Sequence, residues 1–248
     1  MKILLTGCDG QVGREICRLA TPHQVDLVAT NRRTLDISDV NAVNRMVVQG
    51  IDLVVNAAAY TAVDKAETES AAADAVNALA PGLLAYRCRE LDIPLIHLST
   101  DYVFDGTSTR AYLETDPLSP LGVYGKSKAA GEIAVSRALN AHVILRTSWV
   151  FGIHGNNFVN TMWRLAAERD QLNIVADQIG RPTFAGSIAA AVLHIIGRVE
   201  KGDEPWGTYH FCDDGPTTWY GFADKAIQLA QGAGILSRRP AITPITTA

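Results

Sequence analysis

Between Lys2 and Thr147 the chain alternates two hydrophobic patterns. Short, nearly unbroken apolar runs end in polar or small residues: Lys2–Thr6, Val25–Thr30, Ile51–Ala59, Ile93–Thr100 and His142–Thr147. Runs with no polar face predict strands buried on both sides, as in a parallel sheet. Between them apolar residues recur at helical spacing, from Gly13 to Leu19, Val40 to Val48, Glu67 to Leu91 and Tyr124 to about Leu139. Strand following helix in this way predicts an α/β doubly wound parallel sheet with right-handed crossovers.

Local signals refine the elements. Ser38 or Asp39 suits the N-cap of the second helix. Pro81 predicts a bend or restart in the third helical stretch, where Asn77 is a polar side chain able to turn toward the sheet. The segment Asp101–Pro120, rich in Gly, Thr, Ser and Pro, reads as a long loop, a feature usually tied to function or mobility. After Ser148 the texture changes. Trp149–Gly152, Gly155–Phe158 and Asp177–Thr183 mix aromatic, amide and turn residues between helices at about Val159–Ala167 and Ala185–Ile196. Residues 1–148 are therefore read as the sheet domain and 149–248 as a smaller mixed lobe, with Arg238–Ala248 irregular.

Composition narrows the partners. With 19% charged residues, a net charge of −4 and pI near 5.8, the chain has no electrostatic footprint for nucleic acid or an anionic membrane. Its four cysteines have no Cys-x-x-Cys spacing and fit reduced thiols in the cytoplasm. The amino terminus runs straight into a glycine loop and does not read as a signal peptide. Small molecules or other proteins remain.

The candidate chemistry lies at the strand ends. Gly7, Gly10 and Gly13 follow the first strand with Gly-x-x-Gly-x-x-Gly spacing, which lets backbone N–H groups approach a pyrophosphate at a helix start. A ligand-free tight turn would use the same glycines, and the spacing departs from Gly-x-Gly-x-x-Gly. The second strand runs into Asn31-Arg32-Arg33 with no acid, favouring a 2′-phosphate and hence NADPH over NADH, although surface arginines are also commonly just solvated. Asp36 is placed to accept from an adenine amino group. Ala57–Ala59 leave room for a flat ligand or for close helix packing. Tyr124 and Lys128, four apart, share a helical face. A lysine beside a tyrosine lowers the phenol's pKa, and Thr100 or Ser99 could donate to a carbonyl oxygen; a solvated pair and a strand-end cap are the plain alternatives.

These stretches occur together with Asn56–Glu67, Ser99–Gly106, Tyr124–Lys128, Arg146–Trp149 and Asp177–Thr183. Over nearly its whole length the chain resembles the dTDP-4-dehydrorhamnose reductase family of the extended short-chain dehydrogenase/reductase superfamily. The resemblance implies a Rossmann-type sheet with a smaller C-terminal substrate-binding lobe, and NADPH-dependent reduction of the C4 keto group of a dTDP-6-deoxysugar. It makes Gly10, Gln11 and Val12 pyrophosphate contacts, sets Asp36 and Ile37 beside the adenine, and lines the cofactor with Ala59, Tyr60 and Thr61. Tyr124 becomes the catalytic acid with Lys128 its partner, Thr100 and Asp101 substrate contacts, and Trp149 a wall of the sugar pocket. It implies a nucleotide-sugar substrate, and a homodimer is compatible with it. Some relatives carry Mg²⁺ at a dimer contact; Glu15 matches one acidic residue, but Gly186 stands where another is sought, so no metal ligands are assigned. Family members usually continue for several tens of residues past the position of Ala248, and that tail helps complete the substrate lobe. A nucleotide-sugar epimerase or dehydratase, or a cofactor-binding regulatory subunit like the partner of methionine adenosyltransferase, are the competing readings.

Overall fold

The computed structural model describes residues 1–22 and 25–247. In chain order the first part contains β1 (Lys2–Thr6), α1 (Gln11–Ala20), β2 (Asp26–Ala29), α2 (Val40–Met46), β3 (Leu53–Asn56), α3 (Val63–Ala66), α4 (Ser70–Asp74), a π-helical turn (Ala75–Leu79), α5 (Ala80–Leu91), β4 (Leu95–Thr100), a 3₁₀ turn (Asp101–Val103), α6 (Val123–Ala138) and β5 (His142–Thr147). The rest comprises β6 (Val150–Phe151), α7 (Phe158–Glu168), β7 (Gln171–Val175), β8 (Ile179–Gly180), β9 (Thr183–Phe184), α8 (Ala185–Glu200), β10 (Gly207–His210), β11 (Thr217–Thr218), α9 (Trp219–Gly232) and β12 (Ala241–Ile245).

The main sheet has six parallel strands in the order β10-β5-β4-β3-β1-β2. Because β1 lies between β2 and β3, the winding reverses beside it, and such a switch point is where open α/β sheets hold ligands. The apolar runs are buried as their patterns require: Leu4, Val54, Leu95 and Ile144 pack with Val43 of α2 and Val47 just after it, Leu84 of α5, and Val135 and Leu139 within or next to α6. Each such side chain contributes roughly 1.5–3 kcal/mol when fully buried.

The capping ambiguity resolves to Asp39, whose side chain accepts from the N–H of Asn41. The Pro81 effect appears one step upstream of the proline. Proline has no N–H to donate to the carbonyl four residues earlier, which is that of Asn77, and the chain there is a π-helical turn. Asn77's freed carbonyl faces α6 at Gly131, where an added Cβ would stand 2.0 Å from it.

The chain divides into two compact units, Met1–Thr147 with Ile188–Phe211, and Ser148–Ser187 with Cys212–Ala248. Residues 188–211 thus group with the sheet rather than with the lobe drawn as 149–248, because β10 pairs with β5. In the second unit α7 and α9 bury Met162, Ala166, Ala223, Ile227 and Ala230 against Leu172 and Ile174 of β7. The irregular end expected from Arg238 on is instead β12, paired in parallel with β7 over five residues. Pro244 weakens its strand signature in the sequence, yet proline is tolerated on such an edge.

The segment after β4 is long but not loose. Tyr112 stacks on Phe104 at 4.3 Å, Asp116 pairs with Arg110, and Ser119 N–H donates to the carbonyl of Val103. The backbone N–H of His210 donates to Glu114, and Arg146 reaches the carbonyl of Glu114. These contacts tie the segment to the turn after β4, to β5 and to β10 along its length.

Candidate active site

The glycine turn is built by close backbone approach. Gly7 has φ +70°, and a Cβ there would meet the backbone of Ala57 and Ala58 at about the distance of a bond-and-a-half, 2.6–2.7 Å. A Cβ on Gly13 would stand 2.2 Å from the carbonyl oxygen of Gly7, so the start of α1 is pressed onto the end of β1. Gly10 is the N-cap of α1 and supplies no side-chain cap to the first-turn N–H groups. Gly10, Gln11 and Val12 therefore stand at a helix start beside the switch point, a place that favours negative charge. The glycines are required by this backbone packing, and a turn of this build before a helix start suits a dinucleotide pyrophosphate.

At the end of β2, Asn31 accepts from the N–H groups of Arg33 and Thr34 and donates to Asp9 at 2.9 Å, which ties it to the glycine turn. The Arg32 side chain is 87% exposed and reaches Asp36 only at 3.9 Å, so it is available to a phosphate. Asp36 is less open than the sequence reading has it. Its Oδ1 accepts from the N–H and hydroxyl of Ser38, and these contacts hold its carboxyl below the usual range. Ile37 beside it is buried.

After β3, Ala59, Tyr60 and Thr61 are extended, and Asn77 holds them. Its Oδ1 accepts from the Tyr60 N–H at 2.8 Å, while its Nδ2 donates to the Tyr60 carbonyl and to Ser127 Oγ. Ser127 donates to the carbonyl of Tyr124, so one amide links the stretch after β3 to the start of α6. The Tyr60 hydroxyl is engaged by Glu69 at 2.7 Å.

Thr100, Asp101, Tyr124 and Lys128 come together at the carboxyl end of β4. Thr100 Oγ1 accepts from the Tyr102 N–H and donates to Asp101 Oδ1 at 3.0 Å. Gly125 lets α6 approach, since a Cβ there would lie 2.2 Å from the Tyr102 carbonyl, and the Tyr102 and Tyr124 rings meet edge to face at 5.5 Å. Burial pushes the Tyr124 phenol up to about 12, aided by the charge of Asp101 and by Tyr102, and opposed by a hydrogen bond with Thr100. Asp101 rises to about 6, chiefly through burial. Lys128 is 2% exposed, donates to the carbonyl of Leu98 at 2.7 Å, and is lowered to about 8 by burial, with Glu132 opposing. The expected lowering of the Tyr124 pKa by Lys128 is therefore corrected. The ammonium is directed at a strand carbonyl, and desolvation dominates the phenol.

Beside Thr100 in the sheet register stands Thr147, whose hydroxyl is buried without a hydrogen-bond partner among the described residues. The sequence reading passed over Glu132, which pairs with Arg146 at 2.7 Å; Ser99, read there as an alternative donor to a carbonyl oxygen, instead donates to Glu132. The spacing of Tyr124, Lys128 and Glu132 on one helical face was the available signal; the burial of the third was not visible.

Trp149 belongs to the second unit. It takes φ +45°, stacks on Trp219 at 3.5 Å between centroids, and lies where a Cβ on Gly180 would be 2.3 Å from its ring. Gly180 and Trp219 thus pack against the Trp149 ring. Glu15 is buried with Oε2 held by Arg18, and no group of three or more His, Cys, Asp or Glu among the described residues could hold a metal ion. No helix among the described residues is long and apolar enough to cross a membrane.

The family model described as the RmlD substrate binding domain matches residues 1–248. The dTDP-4-dehydrorhamnose reductase of Burkholderia thailandensis is 46% identical over 233 residues, 92% of this chain and 78% of that protein. The enzyme of the same name from Escherichia coli is 41% identical, over 95% of this chain and 80% of its own length. Among solved structures, a dTDP-4-dehydrorhamnose reductase from Bacillus anthracis in complex with NADP superposes with a TM-score of 0.90 at 35% identity, over 100% of this chain and 85% of that one.

Proposed function

The chain belongs to the dTDP-4-dehydrorhamnose reductase family, and from that premise we propose that it reduces the C4 keto group of dTDP-4-dehydro-L-rhamnose with NADPH, giving dTDP-L-rhamnose. The observation that carries the reading is the meeting of Thr100, Asp101, Tyr124 and Lys128 at the end of β4, in the same unit as a glycine turn shaped for pyrophosphate. Gly7, Gly10, Gln11, Val12 and Gly13 would hold the pyrophosphate, Asn31 and Arg32 the ribose phosphate, Asp36 and Ile37 the adenine edge, and Ala59–Thr61 the inner part of the cofactor. When bound, NADPH supplies the hydride; the chain's residues orient the reactants and manage charge.

Tyr124 is the proton donor to the carbonyl oxygen. A phenol pushed up to about 12 is fully protonated at neutral pH, the state a proton donor starts from; a general acid works best nearer the working pH, so its hydrogen-bonding partner must favour the phenolate. Its hydrogen bond with Thr100 favours the phenolate left behind. Thr100 shares its hydroxyl between Asp101 and Tyr124, so the three groups respond together to any change in charge. We place Thr100 and Asp101 against the substrate, and assign the second unit, with the stacked Trp149 and Trp219, to recognition of the nucleotide sugar. A cytoplasmic homodimer completes the proposal; the charge balance and cysteine spacing of the sequence support the compartment.

The test is NADPH oxidation by the purified chain, with and without dTDP-4-dehydrorhamnose, and identification of the product sugar. Oxidation that depends on the sugar and yields dTDP-rhamnose is expected. Tight NADPH binding with no oxidation would move the chain to the regulatory-subunit reading.

A further inference from the structure

The sheet-facing stripe of α6 carries three ionisable side chains at four-residue spacing, Tyr124, Lys128 and Glu132. Glu132 is 3% exposed. Its carboxylate accepts from Ser99 Oγ at 2.5 Å and from Arg146 Nε and Nη2 at 3.0 and 2.7 Å. Ser99 is the residue after Leu98, whose carbonyl accepts from Lys128. Two side chains one turn apart on α6 thus grip consecutive residues of β4. Arg146, in register with Ser99 on β5, carries the set outward: its Nη1 lies 3.2 Å from His210 Nε2 and 3.4 Å from the Glu114 carbonyl, and its guanidinium lies over the Phe104 ring.

An ammonium removed from water needs an opposing charge or it gives up its proton. From this arrangement we infer that Glu132 is a positioning residue for the reduction: clamped by Ser99 and Arg146, its carboxylate keeps the buried Lys128 ammonium charged and aimed at β4, on the helical face that carries Tyr124. The consequence for turnover rests on the reductase reading; the charge coupling between Glu132 and Lys128 does not. A salt bridge that only braced α6 against β5 would leave the titration of Lys128 untouched.

Other groups act on the same region. His97 of β4 interacts with Lys128 through charge and is held neutral by burial. Arg146 of β5 is neutralised by Glu132. The 3₁₀ turn brings Asp101 and Tyr102 to Tyr124, and Asp64 of α3 acts on Tyr102. Glu67 accepts from the Val123 N–H at the start of α6, and Asn77 of the π turn contributes an uncharged amide through Ser127. Among these, Glu132 is the group that opposes the loss of charge by Lys128.

The test follows the lysine Cε signals of the full chain by NMR across an alkaline titration; the sequence has six lysines, and Lys128→Met identifies the one in question. In Glu132→Gln the Lys128 midpoint should fall by at least about one pH unit, and Glu132→Asp should recover at least half of that shift. If Glu132→Gln fails to fold because Arg146 is left unpaired, Glu132→Gln combined with Arg146→Gln removes both charges, and its Lys128 midpoint should lie below that of Arg146→Gln alone, which keeps the carboxylate. A folded variant with an unmoved midpoint overturns the inference. In parallel, the alkaline limb of kcat for NADPH oxidation should move down with the Lys128 midpoint; a shifted midpoint with an unshifted limb overturns the positioning role. If the parent shows no turnover, the reductase reading falls, and the NMR midpoint still decides the coupling.

Discussion

The ammonium of Lys128 donates to the backbone carbonyl of Leu98 at 2.7 Å, in a site where almost none of the side chain reaches solvent. That single bond ties the middle of α6 to the end of β4.

The first consequence is a pH-dependent stability. The folded-state pKa of Lys128 is lowered to about 8 from 10.5. Between those values the unfolded chain binds the proton and the folded chain does not, so this group makes stability rise with pH, by up to roughly 1.4 kcal/mol per unit. The cost of its charge is fully present below about 8 and is gone above 10.5. Urea unfolding of the parent and Lys128→Met should therefore show the parent gaining on the variant as pH rises through this window. A constant difference would contradict the placement of the charge.

Gly13→Ala tests the glycine turn. Its Cβ would stand 2.2 Å from the Gly7 carbonyl, a contact that must be relieved by moving backbone. We expect a loss of stability on the order of 1–3 kcal/mol and a loss of NADPH affinity of roughly tenfold or more. Unchanged NADPH titration by fluorescence would show that the turn does not bind pyrophosphate.

The π turn gives a prediction away from any ligand. Gly131→Ala would press a methyl group into the Asn77 carbonyl, and we expect destabilisation of about 1–3 kcal/mol in chemical unfolding. Asn77→Ala leaves Tyr60 without either of its backbone contacts to that amide, so NADPH binding should weaken as well. Equal stability of Gly131→Ala and the parent would contradict the close approach.

Cofactor selectivity is tested by Arg32→Ala with Arg33→Ala. The exposed Arg32 guanidinium is only loosely held by Asp36, so its removal should weaken NADPH far more than NADH, by roughly tenfold or more. Parallel titrations with equal losses would remove the 2′-phosphate role.

Most of the sheet could be read from the chain because strands buried on both faces leave apolar runs too short for a helix and bounded by polar residues, as at Leu53–Asn56 and Leu95–Thr100. β10 and β12 escaped: Gly207–His210 and Ala241–Ile245 are partly exposed, carry Gly, Thr and Pro, and take their structure from the strands they pair with. Thr100, Asp101, Tyr124 and Lys128 were legible because helical spacing and a strand end place them together. What spacing could not give was desolvation. The sign of the Tyr124 shift and the buried pairing of Glu132 with Arg146 depend on packing from elements distant in sequence. Trp149 was visible as an aromatic in a turn, but its left-handed backbone and its stack on Trp219, 70 residues later, were not.

The central claim is that Tyr124 hands its proton to a ketone while NADPH delivers a hydride. Its most direct measurement follows deuterium from NADPH labelled at the nicotinamide C4 into the sugar of dTDP-4-dehydrorhamnose, with the parent and with Tyr124→Phe. The parent should place deuterium at C4 of the rhamnose, and the variant should bind NADPH within about threefold of the parent but transfer label on the order of 100-fold or more slowly. Transfer at the same rate in the two proteins, or no label at C4 with the parent, would contradict it.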